Sequence, residues 1–356
     1  MAEIDALLHR MEIDQASDLH LKVGCYPRFR VHGELIDVEG TDILSREDVD
    51  RITREILNEQ QERIYLEDGE IDFAYGDVKS GRYRCNFFTE HHGPAAVLRR
   101  IPTRIPTLKE FNLPSILETF AHMRSGLILV TGPTGSGKSS TLATLVDIIN
   151  TQYRKHIITL EDPIEFLHPN KKSVVHQRGV HYDIVDFATG IKAALREDPD
   201  VLLIGEMRDL ESIRYALTAA EVGSLVMATL HTNGARQSID RIIDVFSAEE
   251  QPQIRSMLSQ SLTGVVSQVL LSRTDVEGRI PATEVLFSNA AVSNLIRENK
   301  IHEITSVIQA GKGQGMHTMD DSLMGLVTKK LVNPEEAYSY AENKSWFEAW
   351  LPQPSK

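Results

Sequence analysis

The chain has 356 residues, 41% apolar and 25% charged, with 22 glycines and 14 prolines. That is apolar material for two or three cored domains, and too little glycine and proline for a disordered or fibrous chain. Its 51 acidic against 38 basic side chains leave a net charge of -13, which argues against non-specific binding of nucleic acid, because phosphate neutralisation needs a basic field. Two cysteines, Cys25 and Cys85, exclude a disulfide scaffold and a four-thiolate zinc site. No apolar run approaches the roughly 18 residues of a membrane span, and the acidic start does not read as a signal peptide. The expectation is a cytoplasmic protein whose membrane role runs through a partner.

Residues 3–13 set Ile4, Leu7, Leu8 and Met11 at helical spacing. Short strands are expected at 18–23 and 26–31, around a connection centred on Gly24, and at 34–38 after a turn at His32-Gly33. Ser45 followed by Glu47 and Asp48 predicts a helix running to about Asn58, since a hydroxyl caps free amides and early acids offset the helix dipole. Strands follow at 71–75, 81–89 and 95–101; in the second, Arg82, Arg84 and Asn86 alternate with Tyr83, Cys85 and Phe87, so arginines share one face and apolar side chains the other. This gives a first domain over 1–101. Pro102, Pro106 and Pro114 interrupt regular structure and mark 102–114 as a linker to a second domain, 115–356.

In that domain a helix is expected at 115–123. Apolar runs at 127–130, 157–160, 201–204 and 225–228 alternate with helical stretches at 139–149, 186–196 and 210–222, the pattern of a mostly parallel sheet covered on both faces. From residue 252 the chain reads as mainly helical, at 252–270, 291–298, 301–310, 319–329 and 334–340. Trp346, Phe347 and Trp350 in the tail are expected to dock back onto the domain.

Residues 132–139, GPTGSGKS, complete the G-x-x-x-x-G-K-[ST] pattern between a strand and a helix starting near Ser139. Gly135 and Gly137 let backbone amides converge on a phosphate, and the helix N-terminus adds its dipole. Lys138 would reach the β- and γ-phosphates and Ser139 would ligate Mg²⁺. Thr131, Gly132, Pro133, Thr134, Ser136 and Ser140 complete the candidate nucleotide-binding set. No Asn/Thr-Lys-x-Asp element for guanine is present, so ATP is the expected nucleotide.

Glu206 follows the 201–204 strand, and Glu161 and Asp162 follow the 157–160 strand with Pro163 fixing the turn. Carboxylates at such strand ends are placed to order Mg²⁺-bound water or polarise an attacking water. Thr229, His231 and Thr232 end the fourth strand, where an imidazole can donate to a phosphate oxygen or a neighbouring carboxylate. By pattern alone, Arg82, Arg84, Arg99 and Arg100 divide evenly between surface charge and an arginine supplied to a γ-phosphate across an interface. Arg196 and Arg208 flank the 201–204 strand and are candidates to pair with its acids.

ASDLH (16–20), GPTGSGKS, ITLEDPIEF (158–166), LREDPDVLLIGEMRD (195–209) and TLHTNGARQSIDRIIDVF (229–246) together resemble the ATPases of type II secretion and type IV pili, nearest to the retraction class. The resemblance spans essentially the whole chain. It implies an α/β protein with a PAS-like N-terminal domain and a RecA-like P-loop ATPase domain with a helical C-terminal part. It also implies a homohexameric ring in which the N-terminal domain of one subunit packs on the C-terminal domain of the next. Carried over by motif, Lys138 and Ser139 lie in Walker A, Glu161 in the acidic box and His231 in the histidine box. Glu206 is the Walker B glutamate, favoured for polarising water and for a water-mediated Mg²⁺ contact, with Glu161 in support. Arg84 and Arg99 match the N-terminal-domain arginines that approach the phosphates.

The implied activity is ATP hydrolysis driving pilus retraction, its direction resting wholly on the resemblance. The implied partners are further copies of the chain and the inner-membrane platform protein of the pilus machine, with a paralogous retraction ATPase left open and no direct nucleic-acid contact. The implied location is the inner face of the cell membrane. AAVSNLIRE at 290–298 resembles a segment of the retraction class, with Ser293 in place of an arginine. Two cysteines leave no four-cysteine zinc insertion, and the expectation is a chain without the additional N-terminal domain of assembly ATPases. The remaining alternatives are an assembly ATPase, a nucleic-acid motor of the conjugation class and a nucleotide-gated scaffold.

Overall fold

The computed structural model describes residues 3–31, 33–77, 81–101 and 104–351; His32, Pro102 and the end of the tail lie outside the described residues. The chain divides into two units, Met1–Arg104 with Pro163–Leu167, and Ile105–Asp162 with His168–Lys356.

In the first unit, helix α1 (Glu3–Ile13) buries Ile4, Leu8 and Met11. Strands β1 (Asp18–Lys22), β2 (Arg28–Val31) and β3 (Glu34–Asp37) precede helices α2 (Arg46–Arg54) and α3 (Glu59–Asp68), then β4 (Glu70–Asp77), β5 (Gly81–Glu90) and β6 (Gly93–Ile101). Ser45 and Asp48 form a capping box on α2. The expected helix to Asn58 stops at Arg54, because Asn58 caps a separate α3 reciprocally with Gln61. The strands make an antiparallel sheet in the order β3-β2-β1-β6-β5-β4. Along β5, Tyr83, Cys85 and Phe87 are buried while Arg82, Arg84 and Asn86 are half-buried, as strand alternation requires.

The second unit begins at Ile105, inside the stretch read as linker, because Leu108 and Leu113 bury in its core. Its elements are α4 (Glu118–Ala121), β7 (Gly126–Thr131), α5 (Lys138–Gln152), β8 (His156–Glu161), β9 (Val174–Gly179), α6 (Phe187–Ala194), β10 (Val201–Ile204), α7 (Leu210–Glu221), β11 (Leu225–Leu230), α8 (Ala235–Asp244) and α9 (Gln251–Ser261). There follow β12 (Leu262–Ser272), β13 (Arg279–Phe287), α10 (Ala290–Arg297), α11 (Ile304–Ala310), α12 (Met319–Thr328) and α13 (Pro334–Tyr340). The sheet runs β13-β12-β7-β11-β10-β8-β9, parallel except for the β12–β13 pair. On one face Leu127, Leu129, Leu202 and Val226 pack with Ile191, Ile213 and Ile239 of α6, α7 and α8. On the other, Ile128, Val130, Leu203 and Met227 pack with Leu142, Leu145 and Val146 of α5. Phe347 docks into the core as expected, whereas Trp346 and Trp350 remain 43% and 44% exposed.

The C-terminal part and one edge strand also depart from expectation. The helix expected over 252–270 ends at Ser261 and is replaced by β12, and β13 follows, so this part is not mainly helical. Val265, Val266 and Val269 are β-branched and buried, and a strand covered on both faces shows no period to distinguish it from a buried helix. Edge strand β9 falls where no strand is expected, because after Val174 and Val175 it carries His176, Gln177 and Arg178 and so offers little apolar signal.

His168 is 8% exposed, and burial pushes its imidazole down to about 4. Below an unfolded value of about 6.5 the unfolded chain takes up a proton that the folded one does not, so stability falls as pH drops from about 6.5 towards 4, by up to about 3 kcal/mol. Urea unfolding at pH 7.5, 6, 5 and 4.5 is expected to show this slope, and His168→Asn to reduce it.

Candidate nucleotide site

Strand β7 ends at the buried Thr131, and the chain turns through the glycine-rich loop into α5. Gly132 has φ +139°, and a Cβ on it would sit 2.1 Å from the Gln268 carbonyl oxygen. Gly137, the residue before α5, has φ +88°, and its Cβ would sit 2.6 Å from the Phe111 ring. Both positions need the left-handed backbone and the missing side chain. Gly132→Ala is therefore expected to destabilise the protein by about 3 kcal/mol and to remove nucleotide binding, read by thermal unfolding and ADP titration.

The Lys138 ammonium donates to the Gly132 carbonyl at 2.8 Å and the Pro133 carbonyl at 3.1 Å, which holds it over the loop. Gln268 of β12 braces the loop from beneath: its Nε2 donates to the Ser136 carbonyl, and its Oε1 accepts from Thr141 Oγ1 at 2.8 Å. Pro133, Thr134, Gly135 and Ser139 are exposed, and Ser140 is half-buried. The Thr131 and Ser136 hydroxyls are buried without a hydrogen-bond partner among the described residues. Open amides, a fixed ammonium and an orphaned hydroxyl at a helix start suit a polyphosphate chemically.

The acids come from neighbouring parallel strands. Leu160 of β8 pairs with Ile204 of β10, so Glu161 and the Gly205-Glu206 step leave the sheet at the same edge. Glu161 Oε1 accepts from Thr159 Oγ1 at 2.7 Å and from Gln177 Nε2 at 3.2 Å. Glu206 Oε2 lies 2.8 Å from Arg208 Nη2 and 3.3 Å from His231 Nε2. Burial alone would raise the Glu206 carboxyl, but Arg208 and then His231 outweigh it and hold it below the usual carboxylate value. Thr229 Oγ1 donates to the Gly205 carbonyl and the Met207 amide donates to the Thr229 carbonyl, which ties the two strand ends together. Asp200, at the start of β10, instead pairs with Lys155 at 2.6 Å.

The first unit holds the other two candidates together. Arg84 and Arg99 are cross-strand neighbours on β5 and β6. Arg84 grips Asp72 with two nitrogens, the shorter contact at 2.6 Å, and Arg99 Nε donates to Asp18 Oδ1 at 2.8 Å. Arg82 Nη2 donates at 2.8 Å to the carbonyl of Ile164, which groups with this unit.

Residues 2–314 match the family model described as type II/IV secretion system protein. The chain belongs to this family. It is 49% identical over 319 residues to the twitching motility protein of Neisseria gonorrhoeae, covering 90% of this chain and 85% of that one. It is 45% identical over 327 residues to the type IV pilus retraction ATPase PilT of Pseudomonas aeruginosa, covering 92% and 94%. A crystal structure of the pilus retraction motor PilT with bound ADP superposes with a TM-score of 0.90 at 40% identity, over 98% of this chain and 100% of that one.

In this type II/IV secretion ATPase the motif-bearing residues fall on the strand ends their spacing implied. Sequence reasoning missed Gln268, which sits 132 residues from the loop carbonyl it supports. Its only signal was an amide within an apolar run, which becomes informative once that run is known to be a strand beside β7. Among the described residues no group of three or more His, Cys, Asp or Glu is arranged to hold a metal ion.

Proposed function

We propose that this secretion ATPase hydrolyses ATP to drive retraction of type IV pili, working as a homohexameric ring on the membrane platform protein of the pilus machine. The observation that carries the reading is the braced GPTGSGKS loop on the same sheet as the Glu206–His231 pair, in a chain aligned over nine-tenths of its length with a twitching motility protein and a pilus retraction ATPase. Lys138 and the loop amides hold the β- and γ-phosphates. Ser139, and Glu206 through water, suit Mg²⁺, a cation that takes few protein ligands and keeps several waters; when bound it neutralises charge on the β- and γ-oxygens.

Glu206, kept ionised by Arg208 and His231, accepts a proton as a water oxygen bonds to the γ-phosphorus and the bond to ADP breaks. Glu161 supports it, and His231 carries the state of the γ-phosphate to the strand ends. Arg84 and Arg99 supply cationic charge to the phosphates on domain closure, and loss of the γ-phosphate releases them. Around a ring, such rigid-body steps become displacement of the platform protein, which returns pilin subunits to the membrane.

No helix among the described residues is long and apolar enough to cross a membrane, so docking at the inner face of the cell membrane rests on that partner. The test is a strain lacking the protein. Excess surface pili without retraction support the reading, and so does failure of a Lys138→Ala copy to restore retraction. Loss of pili assigns an assembly role instead, and a normal phenotype rejects the motor.

A further inference from the structure

One row crosses the second unit's sheet where its loops depart. Leu230 of β11 pairs with Thr131 of β7, Thr131 with Ser267 of β12, and Ser267 with Glu284 of β13. Leu230 and Thr131 are the last residues before the His231 loop and the glycine-rich loop. Ser267 and Glu284 are both buried, Glu284 being 6% exposed.

The ten-residue helix α8, which the His231 loop enters, has no side-chain cap of its own, because Gly234 stands at the cap position. Two distant residues replace it. Glu284 Oε1 accepts the Ala235 amide at 2.8 Å, and Ser267 Oγ accepts the Gly234 amide at 2.9 Å. Within the loop, Ser238 Oγ donates to the Gly234 carbonyl at 2.6 Å and lies 2.7 Å from Thr232 Oγ1. The residues just past His231 are thus pinned to two strands of the sheet and to α8. On β12 the next residue, Gln268, faces the other way and braces the glycine-rich loop. A buried carboxyl costs folding free energy that an apolar side chain at the same place would not, which is consistent with a use beyond packing.

We propose that Glu284 and Ser267 are positioning residues for ATP hydrolysis, holding the 231–235 loop so that His231 stays against Glu206. This rests on the reading that His231 and Glu206 act in hydrolysis. Glu284 and Ser267 bond the Ala235 and Gly234 amides, so their loss is expected to act on turnover through the loop and to leave binding in place.

The experiment measures kcat, KM for ATP and ADP affinity on the full-length protein for Glu284→Ala, Glu284→Gln, Ser267→Ala, His231→Ala and the Glu284→Ala/His231→Ala double variant. Loss of a buried hydrogen bond to a carboxylate predicts a fall in kcat of about tenfold or more for Glu284→Ala, with ADP affinity within about threefold of wild type. Glu284→Gln, whose amide oxygen still accepts the Ala235 amide, is expected to recover most of kcat. The double variant should be no slower than His231→Ala alone, because both changes remove one function. Should Glu284→Ala fail to fold, Ser267→Ala carries the test, with an expected fall of about threefold in kcat.

Three results overturn the proposal: unchanged kcat in Glu284→Ala or its Ser267→Ala substitute, ADP affinity falling in step with kcat, or multiplicative loss in the double variant. An unchanged His231→Ala removes the reading beneath the proposal. An impaired His231→Ala beside an unaffected Glu284→Ala defeats the proposal alone.

Discussion

Lys138→Ala is expected to lower ATP hydrolysis by about two orders of magnitude or more, the scale for removing a preorganised charge that faces a phosphoryl transition state. Lys138 is only 9% exposed and its ammonium is held by two loop carbonyls, so it is already in place before nucleotide arrives. Alanine keeps the Cβ and is the best helix former at the start of α5, so the fold should survive. The Pro133 carbonyl belongs to an exposed residue and regains water. Phosphate release by purified protein, with a melting curve to confirm folding, measures this directly. A folded variant retaining more than about a tenth of the wild-type rate would show that the loop is not the site of γ-phosphate transfer.

Glu206→Gln is the second large effect. The amide keeps the shape of the carboxylate but cannot take a proton from water, so kcat should fall by about 10²–10⁴-fold, the range for losing general-base catalysis, while ATP binding persists. The wild-type acid is held below the usual carboxylate value, first against its burial and then by Arg208 and His231. The sign follows: the ionised form is active, so activity is lost only as pH falls through that depressed value. Arg208→Ala removes the nearest cation and should move the acid limb of kcat upward in pH. An acid limb that stays in place in Arg208→Ala assigns it to another group. Near-normal turnover in Glu206→Gln beside a dead Glu161→Gln would pass the role of base to Glu161.

The site divides cleanly by what is local in the chain. The glycine-rich loop was legible because eight consecutive residues carry it, between a strand and a helix that each show in their own apolar spacing. Glu161, Glu206 and His231 were legible because each follows a short apolar run, and parallel strands deliver their C-terminal ends to one edge. The expected alternation on β5 appears in the structure because only one face of that strand is buried. β12 was not legible: Leu262–Ser272 is buried almost throughout, and burial on both faces erases the period that separates strand from helix. The segment 163–167, which follows the acidic strand end directly yet groups with the first unit, left no mark in composition.

The sequence by itself determined the family, the α/β fold class and the candidate nucleotide-site residues, because those are written in contiguous motifs and strand-end positions. Only the tertiary structure decided what holds them. Gln268 braces a loop 132 residues away, Glu284 caps a helix start 49 residues away, and His231 of the next strand end meets Glu206 at 3.3 Å. A buried or half-buried carboxylate needs a partner at hydrogen-bond distance, which Arg208 and His231 supply to Glu206 and the Ala235 amide supplies to Glu284. Arg208 lies in the same stretch as Glu206, but the distant partners are chosen by sheet order, which no single stretch of the sequence records.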